Sequence, residues 1–388
     1  MSAPSATNLI ARLEKELRDV WTAPDPSGIP LSRVCTMNLV VVAGTHELRD
    51  RYTPVVDEVT ASIPARAIIV SVEPDAEGDE LEGSATAVCS LDGGRKVCSE
   101  RVLLAAKGNA SARVASAIEA LLVPEIPTAV VWLGRVHVDD PLFEALAATA
   151  DRVLLDSEYT TVSSLVHVCR WARSSGGHMH VSDLAWTRLA PWQELLARFF
   201  DAKETQPLAE RVTRVRLHQA GEHGARLGPE PALMLGWMAT RLGWKTHRLG
   251  GSLRFKRPDG GLVAIELGAV PRPAGVAPLA LAELVVEASA GESGTGTLRG
   301  AITRQLGSGT SIPPPPGGGV STSTADADVM RWCLEPPTGH AAEQRVRLGP
   351  NKAAKWLERT LHRQARDAAF EESVAFAEQI VDDGLAVG

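Results

Sequence analysis

Residues Thr36–Ala43, TMNLVVVA, decide the fold class. Leu39 to Ala43 is an unbroken apolar run, rich in β-branched valine and shorter than an ordinary helix. A strand with one covered face alternates apolar and polar residues, whereas a strand covered on both faces does not. The run therefore predicts a central strand in a sheet flanked by helices. Further strands are expected at Arg66–Val72, Ala85–Leu91, Val97–Ala105, Thr128–Leu133 and Arg152–Leu155. Helices fit Pro141–Thr149 and Thr161–Ala172, and Asn109 can cap another that carries Ala115, Ile118 and Leu122 before Pro124 stops it. Strands alternating with helices describe an α/β domain with a mostly buried sheet. An amphipathic helix bearing Leu9, Leu13, Leu17 and Val20 precedes it.

From Arg211 the pattern changes. A strand (Arg211–His218) and a helix (Pro231–Leu242) lead into short strands with tight turns. Ser252–Lys256 and Leu262–Leu267 flank Pro258-Asp259-Gly260-Gly261, a hairpin signal, and Ala280–Ala288 and Thr295–Arg304 read as two more antiparallel strands. Residues 307–326 hold four consecutive prolines and three consecutive glycines and read as a linker. Beyond it, Pro350–Leu361 and Ala369–Val381 have helical periodicity. The expected organisation is an α/β domain over 1–205, an α+β domain with antiparallel hairpins over 206–306, the linker over 307–326, and a C-terminal helical segment over 327–388.

The chain has 388 residues and a net charge of −7, which argues against general affinity for nucleic acid or an anionic membrane. No apolar run approaches spanning length, and the amino terminus lacks the apolar stretch of a signal peptide, so cytoplasmic residence is expected. Five cysteines (Cys35, Cys89, Cys98, Cys169, Cys333) show no zinc spacing, and an odd, sparse set reads as reduced thiols. One pair permits a second reading. A hairpin centred on Gly93-Gly94 places Cys89 opposite Cys98 at a non-hydrogen-bonded position, where side chains approach most closely. That pair is either two packed thiols or a redox-responsive cross-strand disulfide.

The aromatic residues concentrate in Ser182–Asp201, SDLAWTRLAPWQELLARFFD. Pro191 suits a first helical position, after which Trp192, Leu195, Leu196 and Phe199 form one apolar stripe. Upstream, Asp183 can cap a short turn that carries Trp186 and Arg188. This segment resembles the D-L-x-W-T-R and P-W-x-x-L-L-A signature of the OpcA family, the glucose-6-phosphate dehydrogenase assembly and activator proteins. Other stretches resemble the family in the same order: Arg33-Val34-Cys35-Thr36-Met37-Asn38-Leu39, Val130–Leu133, Leu155-Asp156-Ser157, and Leu235-Gly236-Trp237 with Arg241-Leu242-Gly243-Trp244. The resemblance implies a non-catalytic protein that binds glucose-6-phosphate dehydrogenase and activates or assembles it, supporting the oxidative pentose phosphate pathway and NADPH supply. Expected partner-binding residues are Asp183, Trp186, Arg188, Trp192, Trp237 and Trp244.

Catalytic fingerprints are missing from the sequence. There is no G-x-x-x-x-G-K-[ST], H-E-x-x-H or G-x-S-x-G, and Gly294, Gly296 and Gly300 miss the dinucleotide spacing. No catalytic residue, cofactor or metal site is therefore expected. His178, His180 and Asp183 form an H-x-H…D triplet, but Gly176-Gly177 announces a loop and Asp183 has a better role as a helix cap, so solvated or hydrogen-bonded loop histidines are the favoured reading. Arg214, Arg216 and His218 alternate along one strand and are a candidate anion-binding row, or else the solvated face of an edge strand. The alternative function is a sugar-phosphate-binding α/β protein or enzyme, with Asp156-Ser157 at the carboxyl end of a strand.

Overall fold

The apolar run at Leu39–Ala43 does form a strand buried on both faces: Val40 and Val41 have no exposed surface. The computed structural model describes residues 6–22, 31–92, 95–175, 179–249, 252–272, 276–291, 296–306, 327–350, 353–363 and 365–382. The 307–326 linker, Gly93-Gly94 and His178 lie outside the described residues.

The described chain divides into two units, one of 1–184 with 353–366, the other of 185–352 with 367–388. In the first, α1 (Ala6–Thr22) and β1 (Leu31–Arg33) precede β2 (Met37–Ala43), α2 (His46–Ser62) and β3 (Ala65–Glu73). A long hairpin, β4 (Asp79–Asp92) and β5 (Arg95–Gly108), follows. Then come α3 (Val114–Leu121), β6 (Thr128–Leu133), α4 (Pro141–Thr149), β7 (Arg152–Leu155), α5 (Val162–Ser174) and β8 (His180–Asp183). The strands lie in the order β1-β5-β3-β2-β6-β7-β8, all neighbours parallel, with β4 antiparallel to β5. Val41 faces Ile69 and Val131 in register, and all three are fully buried. Thr45, Asp140 and Thr161 cap α2, α4 and α5, each accepting a backbone N–H from the first turn.

The second unit opens with α6 (Leu184–Ala197) as the chain leaves β8. It continues with β9 (Val212–Ala220), α7 (Pro229–Arg241), β10 (Lys245–Leu249), β11 (Ser252–Lys256), β12 (Leu262–Val270), β13 (Leu281–Ser289), β14 (Thr297–Leu306), β15 (Ala327–Glu335) and β16 (Ala342–Pro350). Two helices end the described chain, α8 (Ala353–His362) and α9 (Ala368–Asp382). The sheet runs β10-β11-β12-β9-β13-β14-β15-β16, antiparallel except where β12 lies parallel to β9. One face packs on α6, α7 and α9: Trp332 of β15 donates to the Leu195 carbonyl, and Phe255 of β11 meets Phe376 of α9 edge-on. The opposite face is charged and solvent-facing. This is the expected sequence of an α/β domain followed by an α+β domain with antiparallel hairpins and C-terminal helices.

Several boundaries differ from the sequence reading. The units meet at 184/185, not 205, because the sheet of the first unit ends with β8 and the following helix packs on the second sheet. Residues 327–350 form two strands, where the reading has a helical segment. Met330 and Trp332 point to the core and alternate with exposed Arg331, a period of two that the neighbouring helical patterns obscured. Pro191 lies inside α6 instead of starting a helix. α8 returns to the first unit, where Ala354, Leu357 and Leu361 join the core with Val56 and Val59. Arg152 of β7 fastens it by donating to the carbonyls of Thr360, Leu361 and Arg363 at the C-terminal end of the helix.

Candidate functional site

Asp183 ends β8 and is 1% exposed. Its carboxylate accepts from the Ser157 amide (3.0 Å) and hydroxyl (2.6 Å). The adjacent Asp156 accepts from the Tyr52 hydroxyl at 3.0 Å and the Glu158 amide at 3.2 Å. This polar cluster at the carboxyl ends of β7 and β8 spends its oxygens inside the protein.

The other expected partner anchors are also largely interior. Trp186 donates its indole N–H to Asp367 Oδ2 (2.8 Å), while Asp367 Oδ1 accepts from the Phe370 amide and so caps α9. Arg188 Nε donates to Glu230 Oε1 at 3.0 Å, and Glu230 Oε2 accepts from the Leu281 amide at 2.9 Å. That pair ties α6, α7 and β13 together. Trp192 is fully buried, with the Arg304 guanidinium 5.8 Å from its ring centroid. Trp244 is 4% exposed and packs against Phe255. Expected at a partner surface, these five residues instead hold the fold together. An aromatic-rich helix has the same pattern whether its stripe meets a core or a partner. Trp237, half-buried on α7, retains accessible surface.

The candidate anion row does form, and the structure sets carboxylates against it. Arg214 lies 3.4 Å from Glu266 and 3.8 Å from Glu287, Arg216 lies 2.9 Å from Glu266, and His218 Nδ1 lies 2.5 Å from Glu283. The Glu266 carboxylate holds the Arg216 guanidinium above its ordinary pKa. A bound anion would have to compete with these glutamates. Gly300, a residue of the near-dinucleotide glycine set, has a packing role: a Cβ there would overlap the ring of buried Phe199. Cys89 and Cys98 are directly opposed on β4 and β5 and joined by a disulfide, with Cys98 buried and Cys89 exposed. Cys35, Cys169 and Cys333 are free. Among the described residues no three His, Cys, Asp or Glu groups are placed to hold a metal.

The first sheet contains the order β5-β3-β2-β6-β7-β8, which is the 3-2-1-4-5-6 arrangement of dinucleotide-binding folds. In such folds a pyrophosphate sits at the N-terminus of the helix after the first strand, over a glycine-rich turn. Here that turn is Gly44-Thr45-His46. Thr45 Oγ1 accepts the Leu48 amide, and Glu73, at the end of β3, accepts the His46 amide at 2.8 Å. The stretch Gly44-Thr45-His46-Glu47-Leu48-Arg49 carries one glycine where the dinucleotide pattern has three, so the backbone lacks the close approach a pyrophosphate needs. The residues present do not fit a dinucleotide at this position. Sequence reasoning missed Glu73 because its role requires β2 and β3 to be neighbours.

Fold and site together define a two-unit protein built on a nucleotide-fold sheet whose first turn lacks the glycine pattern of a dinucleotide site. The chain belongs to the OpcA family. Residues 179–374 match the C-terminal domain of the family's glucose-6-phosphate dehydrogenase subunit, and residues 56–168 match the N-terminal domain. It is 28% identical over 197 residues to an OxPP cycle protein OpcA of Synechocystis, covering 49% of this chain and 39% of that protein. The Synechococcus elongatus OpcA is 29% identical over 216 residues, 52% of this chain and 47% of that protein. The match thus spans under half the length of these curated relatives. Among solved structures, levoglucosan dehydrogenase in complex with NADH and L-sorbose aligns at TM-score 0.46 and 10% identity, covering 92% of this chain and 100% of that one. An oxidoreductase from Sinorhizobium meliloti aligns at TM-score 0.45 and 11% identity, covering 90% and 96%. At such scores the likeness bears on neither activity nor cofactor. No described helix is long and apolar enough to cross a membrane.

Proposed function

We propose that this protein binds glucose-6-phosphate dehydrogenase in the cytoplasm and raises its activity by stabilising the active assembly, without catalysing a reaction itself. NADPH supply from the oxidative pentose phosphate pathway then rises. The observation that carries this reading is the match of residues 56–168 and 179–374 to domains named for that dehydrogenase. The turn after β2 agrees with it, since its single glycine, Gly44, does not supply the G-x-G-x-x-G cradle a dinucleotide uses. The buried Asp156-Ser157-Asp183 cluster, which the sugar-phosphate alternative would need, already has internal partners.

An activator needs only to bind the active state of its enzyme more tightly than the inactive one, and the coupling is reciprocal. Substrate should therefore tighten the complex. Trp237 on α7 remains a proposed contact, whereas Asp183, Trp186, Arg188, Trp192 and Trp244 would act indirectly by holding the surface in shape. The deciding experiment is a dehydrogenase assay with and without the full chain, coupled to sizing of the mixture. Stimulation with a shift to a larger species supports the reading. Unchanged kinetics and unchanged size refute it, as does turnover of a sugar phosphate by this chain alone.

A further inference from the structure

The solvent-facing side of the second sheet changes character between β9 and β10. On β9 each cation has a glutamate on a neighbouring strand. Farther along, Lys245 and His247 of β10 stand directly opposite Lys256 and Arg254 of β11. These four share the outer face, because the intervening Phe255 and Thr246 turn inward to Phe376 and Gln379 of α9. None of the four side chains has a hydrogen bond or ion pair among the described residues. Arg254 Nε is buried without an acceptor.

This is unusual in a chain with 47 acidic residues and a net charge of −7. Like charges directly opposite on neighbouring strands destabilise a sheet, and an unmet guanidinium N–H adds a desolvation cost. Edge protection explains part of the pattern: a lysine on a terminal strand discourages stray pairing. It accounts for Lys245, since β10 ends the sheet. It does not account for Arg254 and Lys256, which sit one strand in, where there is no edge to guard.

The geometry points to a docking strip for an extended acidic segment of a partner protein. The segment adds to the edge of β10 that pairs with no other described strand, with carboxylates at alternate positions facing Lys245 and His247. Alternate residues on a strand are ~6.8 Å apart on one face, so a partner strand with acidic residues two apart matches the two cationic rows. Lys256 and Arg254 lie behind them and extend the positive field. A small phosphate would use the charges but not the backbone edge of β10, so the polypeptide is the better fit. Naming the dehydrogenase as the partner rests on the proposal above; the chemistry of the strip does not.

The test uses the full chain, the variant R254E/K256E, and R345E/R347E on the opposite edge strand as a charge-matched control. Probes are a labelled peptide of alternating Glu and Thr, its Gln-Thr counterpart, inorganic tripolyphosphate, and the dehydrogenase. R254E/K256E places glutamates opposite Lys245 and His247, so its melting temperature should hold or rise while peptide binding falls at least about tenfold. The control should stay within about twofold of wild type, and the Gln-Thr peptide should not bind. Failure of wild type to bind the acidic peptide overturns the proposal. So does equal loss in both variants, or tighter binding of tripolyphosphate than of the peptide. If the peptide results hold and the dehydrogenase fails to bind wild type, the partner assignment fails and the strip stands. If the dehydrogenase binds wild type and R254E/K256E equally, the strip is overturned as its docking surface.

Discussion

Replacing Arg188 with alanine would expose the energetics of the α6–α7–β13 junction. The side chains of Arg188 and Glu230 are 12% and 6% exposed, so solvent does little to screen them. Truncating Arg188 leaves the Glu230 carboxylate buried, with the Leu281 amide still donating to one oxygen. Breaking such a pair by removing one partner costs about 3–5 kcal/mol. Two effects offset part of this. Glu230 lies in the first turn of α7, where the helix dipole returns about 0.3–1 kcal/mol to a carboxylate. The retained amide hydrogen bond also keeps the anion from being fully unmet. The lower end, about 3 kcal/mol, is therefore expected. At about 2–4 °C per kcal/mol for a unit of this size, the melting temperature should fall by about 6–12 °C. Urea unfolding should show the loss in the midpoint at an unchanged slope. The double variant R188A/E230Q, which removes the stranded charge, should recover at least about 1 kcal/mol relative to R188A. An R188A protein within about 0.5 kcal/mol of wild type would refute the argument, as would no recovery in the double variant.

Four further outcomes are expected. Gly236→Ala should destabilise the protein by about 1–3 kcal/mol in urea, because the new Cβ would overlap the Ser373 carbonyl and push α9 off α7. Denatured without reductant, the protein should titrate three thiols, and after reduction five, since Cys89 and Cys98 are joined. NADH or NADPH should leave the melting temperature of the wild-type chain unchanged; a rise of more than about 2 °C would show that the single-glycine turn at Gly44 does not exclude the dinucleotide. Hydrogen bonds from Arg257 and the Gly261 amide hold the Asp259 carboxyl below its ordinary value of 3.8. Its contribution to the hairpin is therefore present above the unfolded-state value and lost as pH falls through the lower folded one, which an NMR titration of Gly261 should follow.

Much of the fold lay open in the sequence because local rules wrote it. The Leu39–Ala43 run needs no tertiary information to read as a doubly covered strand, and the Pro258–Gly261 turn fixes the hairpin between β11 and β12. The Gly93-Gly94 count likewise set Cys89 against Cys98, though counting could not choose between thiols and a disulfide. The family was legible from the ordered motifs. What those motif residues do was not: Trp186 serves α9 through Asp367, 181 residues away in sequence, and Arg188 serves Glu230, 42 away. Periodicity shows that a helix has an apolar face, never which surface covers it. Whether a cation is met or bare is likewise settled by register between distant strands, which gives Arg214 and Arg216 their glutamates and gives Lys245 another lysine. Short-range geometry thus specified the elements and the family, whereas only the packed sheets decided which charges stayed unpaired, because an ion pair depends on distance in space and not along the chain.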